Sequence, residues 1–173
     1  MKSRQFFTAL KVLLAVVCIG AVGASNSYAS DGKVYPGSMC IRWSGDAPHI
    51  NMSAIGNLSK TTWLYLDCPV IHDSIFYGIY ISSVRAINQH PSSNVTCSLN
   101  SVYRTGSSYA VSWSGEVSSL GNSTDTQLLS FGSVPSSTLS HYYYSCRIPP
   151  TSSSGISYII SYTVWENDGL GQN

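Results

Sequence analysis

The chain has 173 residues, and only 10% of them are charged, against about 25% in an ordinary soluble domain. Its formal net charge is +1, with no basic stripe that could neutralise a run of phosphates, so nucleic acid is a poor partner. A hydroxyl-rich, nearly neutral exterior is expected, one that makes contact through hydrogen bonds and aromatic rings and responds little to salt.

The first residues read as an address label. Lys2, Arg4 and Lys11 precede an apolar run from Val12 to Ala24, and small residues continue to Ser27-Tyr28-Ala29, the layout of a secretory signal peptide. The run is too short to cross about 30 Å of hydrocarbon, which needs roughly 20 residues, so no membrane span is expected once the signal is removed. Cleavage is expected after Ala29, with Ala24 as the close alternative. Cys18 lies inside the run behind Val17, where lipid attachment is not expected.

Residues 30–173 then form one domain of 144 residues, long enough for a single core. Removing the three cations of the signal leaves six basic and eight acidic residues, a formal charge of −2, together with thirty serines. Four cysteines remain, Cys40, Cys68, Cys97 and Cys146, and an even number in an exported domain reads as two disulfides. Three pairings are open on sequence alone. The sequential one, Cys40–Cys68 with Cys97–Cys146, is favoured. None of the spacings is that of a zinc knuckle, and no metal or other cofactor is expected.

Period-two alternation dominates the domain. After a start near Ser38 to Trp43, the residues Leu64, Leu66, Cys68 and Val70 share one apolar face, with Trp63, Tyr65 and Asp67 on the other. The same pattern places Ile75, Tyr77, Ile79 and Ile81 together, then Val95, Cys97 and Leu99, then Tyr109, Val111 and Trp113, then Leu129 and Phe131. Two further runs close the chain: Tyr142, Tyr144, Cys146 and Ile148, then Ile156, Tyr158, Ile160, Tyr162 and Val164. The gaps hold turn formers such as "SGDAP", "NQHPSSN", "RTGSS", "GNSTD" and "PPTSSSG". About eight short strands with no amphipathic helix predict an all-β, two-layer antiparallel sandwich, Ig-like or jelly-roll-like.

Catalytic signatures are sparse. No glycine pair frames a serine as G-x-S-x-G, and there is no H-E-x-x-H, phosphate-cradling loop or dinucleotide fingerprint. His72 and Asp73 invite an acid/base or metal reading, but adjacent residues in an extended chain point to opposite faces. They read better as a strand end, with Asp73 bonding turn amides and His72 at the rim. His49, His90 and His141 are scattered. Four N-x-S/T sequons, at Asn51, Asn57, Asn94 and Asn122, are what chance gives in so Ser-, Thr- and Asn-rich a chain, and no modification is expected in what reads as a bacterial protein.

The stretches "YPGSMC", "LDCPVIHD", "VTCSLNS", "LSFGSV", "YYYSCRIP" and "GISYIISYTVWEN" together resemble a group of small, uncharacterised exported proteins of Gram-negative environmental bacteria. The resemblance covers nearly all of residues 30–173. It implies a signal peptide followed by a β domain with two disulfides, and it brings no catalytic residue with it.

The leading expectation is therefore a non-enzymatic exported protein that binds a glycan or a protein at the cell surface, in the periplasm or outside the cell. A hydrolase acting on an extracellular polymer and a structural subunit assembling through edge strands are the alternatives. Eleven tyrosines and four tryptophans in a Ser- and Asn-rich chain supply amphipathic rings for such contacts. Trp63 and Tyr65 are the candidate contact residues, two positions or about 7 Å apart along one strand. The competing outcome is that the segment around Asn51 to Lys60 folds over them. Intact mass spectrometry of protein from the native host should give a chain that begins at Ser30; one that begins at Met1, or carries lipid on Cys18, refutes the processing scheme.

Overall fold

In the computed structural model the described residues are 32–73, 78–135 and 139–166; the signal segment with Cys18, and the expected strand positions Ile75 and Tyr77, lie outside them. Twelve strands run β1 Gly32–Pro36, β2 Ile41–Ser44, β3 His49–Asn51, β4 Ala54–Gly56, β5 Leu64–Val70, β6 Ile79–Asn88, β7 Thr96–Thr105, β8 Ser108–Trp113, β9 Val117–Ser118, β10 Ser123–Phe131, β11 His141–Ile148 and β12 Tyr158–Glu166. They form two six-stranded antiparallel sheets packed as a sandwich. The first has the order β10-β6-β12-β4-β3 with β1 also on β12; the second is β2-β5-β11-β7-β8 with β9 also on β7. No helix among the described residues is long and apolar enough to cross a membrane.

The expected alternation is seen in β5 and β11, where Leu64, Leu66, Cys68 and Val70 face Tyr142, Tyr144, Cys146 and Ile148 in a continuous buried layer. Val95, Cys97, Leu99, Leu129 and Phe131 are buried as well. Elsewhere β-bulges change the parity. An irregularity between Ile159 and Ser161 puts Ile159 rather than Ile160 into the core, with Tyr162 and Val164 still inward. A second, opposite Trp165 and Glu166, separates Ile79, which is buried, from Ile81, which is exposed. Tyr109, Val111 and Trp113 do share a face, but it is the solvent face: they are 70%, 56% and 60% exposed.

The four strands the alternation did not foretell, β1, β3, β4 and β9, are short. The segment 49–56 is a β3–β4 hairpin added to the first sheet through β12, so it extends the sandwich instead of covering Tyr65.

The cysteines form Cys40–Cys68 and Cys97–Cys146. Closing loops of 28 and 49 residues, each bridge stabilises the fold by about 4 kcal/mol through restriction of the unfolded chain.

Two buried tyrosines bond across the sandwich in opposite directions. Tyr144 of the second sheet donates its hydroxyl to the carbonyl of Thr163 in the first at 2.9 Å. Tyr162 of the first donates to the carbonyl of Pro69 in the second at 2.8 Å. The rings meet edge-on, with centroids 5.5 Å apart, and Tyr35 stacks on Tyr162 at 5.0 Å. Burial pushes both hydroxyls well above the ordinary tyrosine range, so they remain donors throughout neutral pH. Pro69 is tolerated because β2 pairs only with Tyr65 to Asp67, leaving that side of β5 without a ladder at Pro69.

Replacing either tyrosine by phenylalanine keeps the ring and strands one buried carbonyl. Each change should lower stability by about 1–2 kcal/mol, seen as a lower urea midpoint with an unchanged slope; no loss in either variant would refute the role.

Candidate functional site

Among the described residues, the outer face of the second sheet gathers aromatic, charged and hydroxyl groups able to hold a ligand. Antiparallel register lays it out in rows. Tyr65 of β5, Arg147 of β11 and Thr96 of β7 form one row, and Asp67, Ser145 and Ser98 the next. The third runs Pro69, Tyr143, Asn100 and Trp113. Thr96, Ser98 and Asn100 point outward, yet they are only 5%, 9% and 7% exposed. Thr96 and Ser98 lie at the bottom of a groove between taller side chains, and Asn100 lies just beyond it.

Local sequence explains the walls. In β2 a bulge sets both Trp43 and Ser44 against Tyr65, which re-aims the indole outward. Trp43 then lies with its ring centroid 5.1 Å from that of Tyr65, tilted by 46°. Gly45 follows β2 with φ of 95°, and a Cβ there would stand 2.2 Å from the carbonyl oxygen of Trp63. Only glycine lets β2 press this closely on the start of β5. Arg42 holds the same turn by donating from Nη1 to the Gly45 carbonyl at 2.6 Å.

Opposite the rings, Arg147 Nη2 meets Glu116 Oε2 at 3.0 Å. Because Arg147 stands on β11 and Glu116 on the far side of β7, this ion pair passes over β7 at Thr96 and Ser98. Thr96 and Ser118 share a hydrogen bond of 2.9 Å, and Asn100 Nδ2 donates to both the carbonyl and the hydroxyl of Ser98 at 3.2 Å. The resulting groove has a volume of about 170 Å³. That is below the roughly 300–1,000 Å³ that encloses a drug-sized ligand or cofactor, and suits a small ring resting on the surface.

Of the two expected contact residues, Tyr65 is in the groove and Trp63 lies just before β5, half-buried. The partner that packs against Tyr65 is Trp43, which alternation alone did not single out because it sits in a bulge. Asp67 lies on the same face between Ile41 and Ser145. Burial raises its carboxyl above the ordinary range. Tyr143 is raised too, by burial first and then by the charge of Asp67.

His72 and Asp73 take no part in this face. The His72 side chain is 6% exposed rather than at the rim, with its ring 4.6 Å from that of Tyr142 and Nε2 3.7 Å from Glu166 Oε2. The Asp73 amide donates to both Glu166 oxygens at 3.2 and 3.1 Å, and its carboxylate pairs with Lys33 at 2.8 Å. Lys33 also pairs with Glu166. Glu166 thus receives the His72 ring and the Asp73 backbone amide, while the Asp73 side chain turns to Lys33. Their joint effect is to tie β1 and β12 to the segment after β5. No three His, Cys, Asp or Glu side chains among the described residues gather as metal ligands.

No protein-family model matches the chain, and no curated protein does. Solved structures share its general build. One is the CBM36-1 domain of a multidomain xylanase from the hindgut metagenome of Trinervitermes trinervoides, 9% identical with a TM-score of 0.45, covering 83% of this chain and 99% of that one. A second is a low-affinity xylan-binding module, CBM86, from Roseburia intestinalis, 14% identical with a TM-score of 0.46, covering 81% and 98%. A third is a carbohydrate-binding module, CBM36, in complex with calcium and xylotriose, 7% identical with a TM-score of 0.42, covering 76% and 97%. At these values the likeness transfers no residue role.

An acid whose folded-state pKa is raised binds its proton more tightly when folded, so its contribution to stability is present at low pH and lost as pH rises through the raised value. Asp67→Asn should therefore melt at the wild-type temperature at pH 3 and above it at pH 7, the gap opening from about pH 4 upward. Equal melting temperatures at both pH values would contradict the burial of this carboxyl.

Proposed function

We propose that this is an exported, non-enzymatic β-sandwich protein that binds a glycan on the outer face of its second sheet. The observation that carries the reading is the Trp43–Tyr65 ring pair beside a recessed hydroxyl floor crossed by the Arg147–Glu116 ion pair. A sugar ring offers an apolar C–H face and a rim of hydroxyls. The two rings supply area for the first, and Ser145, the remaining donors of Arg147 and the free side of Glu116 supply partners for the second. The ion pair cancels its own charge, so the groove attracts a neutral ligand without long-range steering. Two disulfides fit an oxidising compartment, and with the amino-terminal signal they support a destination at the cell surface, in the periplasm or outside the cell.

Binding to an array of neutral plant and bacterial polysaccharides, followed by calorimetry on the hits, tests this. Trp43→Ala and Tyr65→Ala should each weaken binding tenfold or more, since aromatic anchors dominate such contacts, while far-ultraviolet circular dichroism stays unchanged. Raising NaCl from 50 to 500 mM should change affinity by less than about threefold, because a neutral ligand carries no charge to be screened. Intact binding in both variants removes the site. Release of reducing ends from a bound polysaccharide would overturn the non-enzymatic reading.

A further inference from the structure

The outer face of the second sheet continues beyond the groove that Trp43 and Tyr65 flank. Two rows further along the sheet, Asn100 lies between Tyr143 on β11 and Trp113 on β8. The amide is recessed at 7% exposure, while Trp113 is 60% exposed. This repeats the arrangement of rings beside a sunken polar floor. The row between the two, Ser145 and Ser98, joins them without a bulky side chain, and the Asn100–Ser98 hydrogen bonds hold the amide in line with it. Trp113 stands three strands across from Tyr65 and four residues along, by the register of β5, β11, β7 and β8. That is about 14 Å by about 13 Å, or about 20 Å corner to corner, much longer than one sugar ring.

Resting on the glycan reading, we infer that the ligand is an internal stretch of a linear, neutral oligosaccharide lying diagonally across the sheet, with one ring on Trp43 and Tyr65 and a second on Trp113 and Tyr143. Neutrality follows from the path between them, where Arg147 and Glu116 compensate each other and Ser145, Ser98 and Asn100 carry no charge, and from Asp67 beside it, whose carboxylate would repel an anionic chain. Elongation follows from the two ring-flanked ends. Trp113 is thus a chain-length determinant, whereas Trp43 and Tyr65 hold the first unit.

Calorimetry with xylo-, manno- and β-1,4-galacto-oligosaccharides of three and six units, on the whole secreted protein, separates these roles. The wild type should bind one hexamer at least tenfold more tightly than its trimer. Trp113→Ala should bring the hexamer down to the trimer's affinity, Trp113→Phe should keep most of the gap, and Trp43→Ala should weaken both lengths. A hexamer bound no more tightly than its trimer, or a gap that survives Trp113→Ala, overturns the inference; if Trp43→Ala still abolishes trimer binding, the groove reading stands without it. A change in oligomeric state rather than affinity on Trp113→Ala, read by light scattering, overturns it in favour of a contact between copies. No binding of any of these sugars, nor of any longer neutral oligosaccharide drawn from the array hits, overturns the inference, and an array without hits overturns the glycan reading as well.

Discussion

Two buried hydroxyl groups at the centre of the sandwich help to hold its sheets in register. Apolar burial pulls two sheets together without specifying how one slides over the other, and neither disulfide spans them. Cys97–Cys146 joins neighbouring strands of the second sheet, and Cys40–Cys68 ties the approach to β2 onto β5 of the same sheet. The directional contacts between the layers include the opposed bonds of Tyr144 and Tyr162, each reaching a backbone carbonyl of the other sheet, and towards the edges those of Asn57 to the Ile148 carbonyl and of Tyr35 to the Ile71 carbonyl. Backbone acceptors make these bonds indifferent to the identity of Thr163 and Pro69 side chains. The rings in turn fill the space the hydroxyls fix, with Tyr35 and Phe131 packed around them.

That division of labour leaves the second sheet doubly reinforced, and the groove lies on it. Cys97 and Cys146 face each other across β7 and β11 between the rows that carry Thr96 with Arg147 and Ser98 with Ser145. The floor is therefore stapled from beneath by the bond on its inner side. A shallow site has few contacts with which to order its own residues, so stiffness supplied from the core reduces the entropy lost when a ligand arrives.

The sequence was most legible where strands are regular. In β5 and β11 strict alternation marks the buried side residue by residue. It failed at bulges, which insert one residue and reverse the pattern beyond it: Ile159 took the place expected for Ile160, and Ile81 turned to solvent. The same kind of irregularity hid Trp43, whose position beside Tyr65 depends on β2 pairing two residues against one. The apolar face of β8 was visible, but its direction was not, because β8 is an edge strand and period two carries no sign. Lys33 and Glu166 meet His72 and Asp73 only through β1–β12 pairing, a long-range contact with no local signature.

The pairing of β1 with β12 brings Gly32 opposite Trp165, so the two ends of the described domain leave from the same corner. Tension applied between them would act at a fork and open the β1–β12 ladder one hydrogen bond at a time, instead of loading all of them together in shear. Lys33 bridges to Glu166 and Asp73 within a residue of that fork. Electrostatics, rather than the hydrophobic core or either disulfide, thus guards the point at which mechanical unravelling would begin.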